Sequence, residues 1–287
     1  MKNNRVQIVC ICLCLLLTFV NNRASANEPY DKAYKRGVEL FNSWKYKDAL
    51  DAFIDADKLY PQNGFIYLYV GQIMFFADRY QDSYNYTKQA LSYFNPDDSI
   101  GKANAFLHLA FLAQSVVFHD KIDGLSEDDA ALYFDMAVNS APHYAKAYNE
   151  RGNYYNINKK MFSRSDADYL KAIELEPSEV EPYSRIIWSY LDRGLTGKAM
   201  EYCLKCIANV KEYPYHHHTL VKLLLKEGKK EEARNLLWEA FLKSNGYYFQ
   251  GMETVAQFPK EDQDWFRRQI NDQIKKNPNQ KHWKEYF

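Results

Sequence analysis

The side chains best suited to holding a metal stand close together in this 287-residue sequence: Cys203 and Cys206, followed by His216, His217 and His218. A C-x-x-C pair with histidines downstream has a loosely zinc-like spacing. Consecutive residues on a helix point in different directions, so the three histidines cannot converge on one ion. We expect no metal here, with the histidines opening a helix and His217 turned inward.

Other chemistry-bearing motifs fall away in the same manner. Gly194 to Lys198, GLTGK, lacks the four-residue spacer and the hydroxyl residue of a phosphate loop, and reads as a bend between helices. Asn85-Tyr86-Thr87 is formally a glycosylation sequon but lies within a predicted helix. No nucleophile elbow, H-E-x-x-H pair or carboxylate pair is evident, so no catalytic residue and no cofactor is assigned. An enzyme or enzyme accessory would have to draw its polar groups from the loop His119 to Glu127 or from the C-terminal segment.

These residues need a scaffold, and the composition supports a folded one: 47% hydrophobic and 26% charged. Lys plus Arg and Asp plus Glu each number 37, and no region has the basic excess that neutralises a phosphate backbone, so nucleic acid is not an expected partner. Met1 to Ala26 reads as a secretory signal peptide, with Lys2 and Arg5 ahead of an apolar run from Val6 to Val20 and small residues at Ala24-Ser25-Ala26. The run is 15 residues long, short of the roughly 20 that span a bilayer; if retained, it would make the protein a membrane-anchored adaptor. Cys10, Cys12 and Cys14 follow Val9, Ile11 and Leu13, a poor setting for lipid attachment. Removing the segment leaves 37 − 3 = 34 bases against 37 acids. An exported, periplasmic or extracellular chain is expected, and Cys203 and Cys206 alone make no disulfide framework.

Helical periodicity dominates the remainder, and it repeats. Gly37, Ala49, Phe53, Ala56 and Pro61 are separated by 12, 4, 3 and 5 residues. The residues equivalent to Ala56 are Ala90, Ala137, Ala172, Cys206 and Ala240, at spacings of 34, 47, 35, 34 and 34. A small residue is needed where two helices cross closely, Phe53, Phe134 and Tyr169 fill the space beside the crossing, and Pro61, Pro142 and Pro177 end the second helices. Cys203 and Cys206 take the places of Phe53 and Ala56, as small core residues. At these residues the chain resembles the tetratricopeptide repeat, most clearly in Gly152, Ser165, Tyr169, Ala172 and Pro177. The fold expected is all-α: a right-handed α-solenoid of about six hairpins over 27–245 (30–63, 64–97, 102–142, 143–177, 180–212, 214–246). A C-terminal capping helix and tail follow over 247–287, with an apolar stripe at Trp265, Phe266, Ile270 and Ile274. The third hairpin carries the extra loop, with its first helix expected from about Lys102 to Phe118.

The resemblance implies that first helices line a concave groove and that the partner is a protein or peptide. Beside the crossing residues, the groove stripe holds Tyr34, Val38 and Phe41, then Phe65, Leu68, Gln72, Phe75 and Phe76, then Leu107 and Phe111. Trp188 follows in the fifth hairpin and Tyr215, His218 and Lys222 in the sixth. The fourth places three amides there, Asn149, Asn153 and Asn156; asparagine is about half a kcal/mol poorer than alanine in a helix, so helix formation does not explain them. Amides both donate to and accept from a peptide backbone, and in the family the asparagine after the repeat glycine, here Asn153, often contacts a bound peptide. The paired-lysine clamp of the chaperone-binding subfamily has no clear match, which argues against an acidic C-terminus as ligand.

Overall fold

A computed structural model of the protein describes residues 28–210, 215–243, 255–279 and 283; the expected signal segment lies outside them. Helices pair in sequence: α1 (Glu28–Asn42) with α2 (Tyr46–Leu59), α3 (Gly64–Phe76) with α4 (Tyr80–Tyr93), and α5 (Ser99–Ala113) with α7 (Asp129–Ser140) across a short α6 (Val116–His119). Then come α8 (Ala145–Ile157) with α9 (Phe162–Leu175), α10 (Val180–Asp192) with α11 (Thr196–Asn209), and α12 (Tyr215–Lys226) with α13 (Lys230–Lys243), before a last helix α14 (Lys260–Lys276). Among the described residues there is no strand.

A shared turn closes the hairpins. Trp44, Asp78, Lys160, Gly194 and Gly228 adopt positive φ between 54° and 78° just past the first helix of the first, second, fourth, fifth and sixth pairs. In the first pair Trp44 N–H donates to Phe41 O at 2.9 Å and Lys45 N–H to Leu40 O at 2.9 Å, the paired hydrogen bonds of a Schellman cap. The same two bonds recur at Asp78 and Arg79, at Gly194 and Leu195, and at Gly228 and Lys229. The fourth turn holds one more residue, and its closing bond lengthens its reach accordingly, from Met161 N–H to Tyr155 O at 2.8 Å.

Two compact units divide the chain, 1–154 and 155–287, the boundary falling within α8. In the N-terminal unit the hairpins close on their small residues. A Cβ on Gly37 would lie 2.6 Å from Cε1 of Phe53, and one on Gly71 would lie 2.6 Å from Thr87 Oγ1 and 3.1 Å from the Ser83 carbonyl. Ser83 and Thr87 thus stand where the first hairpin has Ala49 and Phe53, and Thr87 Oγ1 donates back to Ser83 O at 2.7 Å. The residue after the sequon's Asn85 and Tyr86 is therefore a fully buried helix residue.

The third hairpin departs from expectation. Its first helix stops at Ala113 rather than running to Phe118, because Ser115 takes an extended conformation (φ −120°, ψ 120°). The break turns Phe118 inward, with its ring centroid 5.1 Å from Phe75 and 5.4 Å from Phe111, contacts a straight helix would forfeit. His119 Nδ1 donates to the Ala113 carbonyl at 2.8 Å, satisfying an acceptor that the helix end leaves open. The loop beyond is pinned by Asp123 N–H to Gln81 Oε1 at 2.7 Å and by buried Ile122 and Leu125.

In the C-terminal unit Tyr169, Cys203 and Leu237 are buried at the crossings beside Ala172, Cys206 and Ala240. Burial pushes both thiols up to about 12, so they behave as small apolar core residues. His216, not His217, turns inward: it is fully buried with Nε2 3.0 Å from Ser184 Oγ. The reason is register, since His216, Leu220 and Leu224 recur at four-residue steps and all three are buried. Helix α14 covers the end with Phe266, Ile270 and Ile274, and Arg234 pairs with Asp262 at 2.9 Å. Within the tail, Trp283 is buried with its ring edge-on to Phe241 at 4.6 Å.

Candidate partner-binding groove

The expected groove residues divide into those that packing consumes and those it leaves. Phe41 and Phe75 are both buried. Phe41 meets Tyr69 and Tyr46 edge-on at 5.2 and 5.4 Å, and Phe75 meets Phe111, Phe118 and His108 edge-on at 5.3, 5.1 and 6.0 Å. These two rings bind one hairpin to the next, and a ligand would meet little of them. Phe76 is half-buried and stacked flat on Tyr46 at 4.4 Å, while Phe65 stands edge-on to Phe94 at 5.0 Å. Tyr34 is half-buried between Tyr30 and Tyr69, its phenol held well above the usual range by desolvation. Aromatic density on the stripe is thus mainly inter-hairpin packing, with Phe111 and Phe76 partly open.

The C-terminal unit contributes differently. Trp188 is 47% exposed, a large ring at the surface of α10. His218 is half-buried on α12. Asn156 accepts from Ser189 Oγ at 3.0 Å and so links α8 to α10. The side chain of Tyr215 lies outside the described residues.

Asn149 and Asn153 stand apart. Both are buried, one helical turn apart on α8, and the carbonyl oxygen of each has no hydrogen-bond partner. Gln72, the residue after the crossing glycine of the second hairpin as Asn153 is in the fourth, is buried with Oε1 likewise unpartnered. A buried acceptor left unsatisfied costs about 1–3 kcal/mol. Sequence reasoning placed Gln72 on the stripe without marking it as a site residue; the signal was its repeat position, which matches that of Asn153.

His108 is buried against Ser83 Oγ at 2.9 Å, and desolvation lowers its pKa to about 4. The histidine-cysteine region offers no shared ligand geometry, and among the described residues no group of three or more His, Cys, Asp or Glu is placed to hold a metal. Among the same residues no helix is long and apolar enough to cross a membrane.

Comparison with known proteins decides the fold. No protein-family profile and no curated protein matches the chain. Solved structures do match. A thermophilic TPR protein of Thermus thermophilus aligns with a TM-score of 0.50 at 18% identity, over 68% of this chain and 99% of that one. The fold is the tetratricopeptide repeat. PilW, a type IV pilus biogenesis factor, superposes with a TM-score of 0.54 at 18% identity, over 76% of this chain and 94% of its own. The Cut9–Hcn1 hetero-tetramer of the APC/C aligns at 0.50 and 13% identity, over 85% of this chain and 44% of that chain. In the tetratricopeptide hairpins of this chain, the crossing residues Gly37, Gly71 and Ala110 are architectural.

Proposed function

We propose that this chain is an exported interaction scaffold that holds a protein partner, as an extended peptide or a helix, on the first-helix stripe of its tetratricopeptide hairpins. One observation carries the reading: Asn149 and Asn153 present buried, unpartnered carbonyl oxygens one turn apart on α8. Such groups are stabilised once a ligand supplies donors. Export rests on Lys2, Arg5, the apolar run and Ala24-Ser25-Ala26.

The test is a pull-down from the native extracytoplasmic fraction with the wild type, Asn149→Ala/Asn153→Ala and Trp188→Ala, each first shown to keep wild-type helicity and unfolding midpoint. Loss of the same partner band from the asparagine variant supports the groove. Undiminished capture by both variants overturns it. Intact mass of the native protein tests export: a chain beginning near Asn27 is expected, and retention of Met1 to Ala26 would indicate an anchored adaptor instead.

A further inference from the structure

Two hairpin turns of the 155–287 unit carry side chains that local structure does not call for. Lys160 holds φ 54° in the fourth turn, where the fifth and sixth turns have Gly194 and Gly228, residues that take this conformation without strain. Met161 and Leu195 follow as the N-caps of α9 and α11, at nearly the same backbone angles (φ −90°, ψ 66° and φ −84°, ψ 57°), and neither side chain caps its helix. Apolar residues are the poorest choice at an N-cap. Burial does not offset that choice, since Met161 is 43% exposed and Leu195 39%. Ile157, the last residue of α8, is 50% exposed in the same fourth turn. Residues that break local rules without a packing gain are where function is expected.

The two turns lie side by side. Arg193, in the fifth, has its guanidinium carbon 4.9 Å from the ring centroid of Phe162, the residue after Met161, and pairs with Asp166 at 2.7 Å. Other rings hold further cations at this edge: Arg164 lies over Tyr155 at 5.5 Å and Lys198 over Tyr190 at 5.4 Å. The charge is one-sided. Residues 157–164 hold Lys159, Lys160 and Arg164 and no acid, and residues 192–198 hold Arg193 and Lys198 against Asp192. With Asp166 counted as well, 5 − 2 = +3 remains. Asp168, further along α9, is buried. In the sixth turn Lys226, Lys229 and Lys230 are matched by Glu227, Glu231 and Glu232, so the surplus ends there.

Apolar tips set among cations match a surface that is negative at its face and apolar just beneath it. At a lipid interface Ile157, Met161 and Leu195 would enter the boundary between headgroups and acyl chains. The long stems of Lys and Arg would lie along that boundary while their charged ends reach anionic phosphates. These side chains stand on turns, which project from the ends of the hairpins, rather than in a groove that would enclose a peptide. A broad surface can therefore meet both turns at once.

We propose that the turn edge of the fourth and fifth hairpins docks on an anionic lipid surface, Ile157, Met161 and Leu195 inserting and the neighbouring Lys and Arg side chains holding headgroup phosphates. None of these residues belongs to the first-helix stripe, so the groove is judged separately. The test is co-sedimentation of the native protein with vesicles of phosphatidylcholine alone and of equal parts phosphatidylcholine and phosphatidylglycerol. A gain in binding on adding phosphatidylglycerol is expected, and it should fade as salt rises. Lys160→Gly should reduce that gain about fivefold, the effect of one cation at an anionic surface, while the unfolding midpoint rises because glycine relieves the left-handed φ. A merely structural role for Lys160 would not separate the two readouts. Ile157→Ser/Met161→Ser should weaken binding to the mixed vesicles at least about tenfold, and Arg164→Gln, about fivefold, serves if the serine variant fails to fold. No gain with phosphatidylglycerol, or a gain untouched by the substitutions, overturns the proposal. Capture of soluble polyglutamate without that gain would assign the edge to an acidic protein and overturns it equally.

Discussion

Gly37 and Phe53 meet so closely that a single added methyl on the glycine would sit 2.6 Å from Cε1 and 2.7 Å from Cδ1 of the ring. The ring is fully buried and stacks on Tyr69 at 4.9 Å, so it has nowhere to retreat. Gly37→Ala should destabilise the N-terminal unit by about 1–3 kcal/mol. Combined with Phe53→Leu, the loss should be less than additive, because the smaller side chain relieves the clash it measures. Chemical denaturation of the two single variants and the double variant checks this.

A second prediction concerns Arg193. Its guanidinium donates to Asp166 Oδ1 at 2.7 Å and its Nε to the Ser189 carbonyl at 3.0 Å, while Phe162 and Tyr190 face it with ring centroids 4.9 Å away. Both side chains of the ion pair are under one-fifth exposed. Asp166→Ala leaves a cation between two rings without its counter-ion, and should lower stability by about 2 kcal/mol. A double-mutant cycle with Arg193→Met should return a coupling of similar size, larger than that of the exposed pair Lys58 and Asp55.

Acid should loosen both units through buried histidines. Desolvation lowers His108 and His216 from 6.5 to about 4 in the folded protein. The unfolded chain therefore binds the protons first: the stability of the neutral form is whole above about pH 6.5 and is lost as pH falls toward 4. Between pH 7 and pH 5 the loss should be on the order of 2 kcal/mol for each histidine. His108→Gln, whose amide can still hydrogen-bond Ser83 Oγ in either direction, should flatten the dependence in denaturant titrations at the two pH values.

The positive-φ turns offer a stabilising change. Lys160 holds φ 54° and is exposed. Lys160→Gly relieves a left-handed conformation that strains a side chain, offset by the glycine's greater freedom when unfolded; a net gain of about 0.5–1 kcal/mol is expected. Thermal unfolding reads it. Gly194→Ala, at φ 70° in the equivalent turn, should move the other way.

Much of this architecture was legible in the residues. Six positions from Ala56 to Ala240, at steps of 34, 47, 35, 34 and 34, mark the second helices, and the longer step marks the insertion. The candidate stripe was legible only as a register. Trp188 is exposed on α10 whereas Asn149 and Asn153 are buried on α8, Phe41 and Phe75 are absorbed into inter-hairpin packing, and His216 replaces His217 as the inward histidine. A helix turns about 100° per residue, so an error of one residue moves a side chain from one surface to another.

By itself the sequence determined that the chain is a stack of helix hairpins, because helix periodicity, close-crossing small residues and helix ends are local and recur at a fixed step. It also determined that Cys203 and Cys206 are core, since they stand in the places of Phe53 and Ala56. Only the tertiary structure decided where the third hairpin breaks, which rings join hairpins, and which polar atoms are left without partners. Those depend on what a neighbouring hairpin presents. Phe118 turns in because Phe75 and Phe111 are there to receive it, and the oxygens of Gln72, Asn149 and Asn153 remain open because no adjoining side chain donates to them.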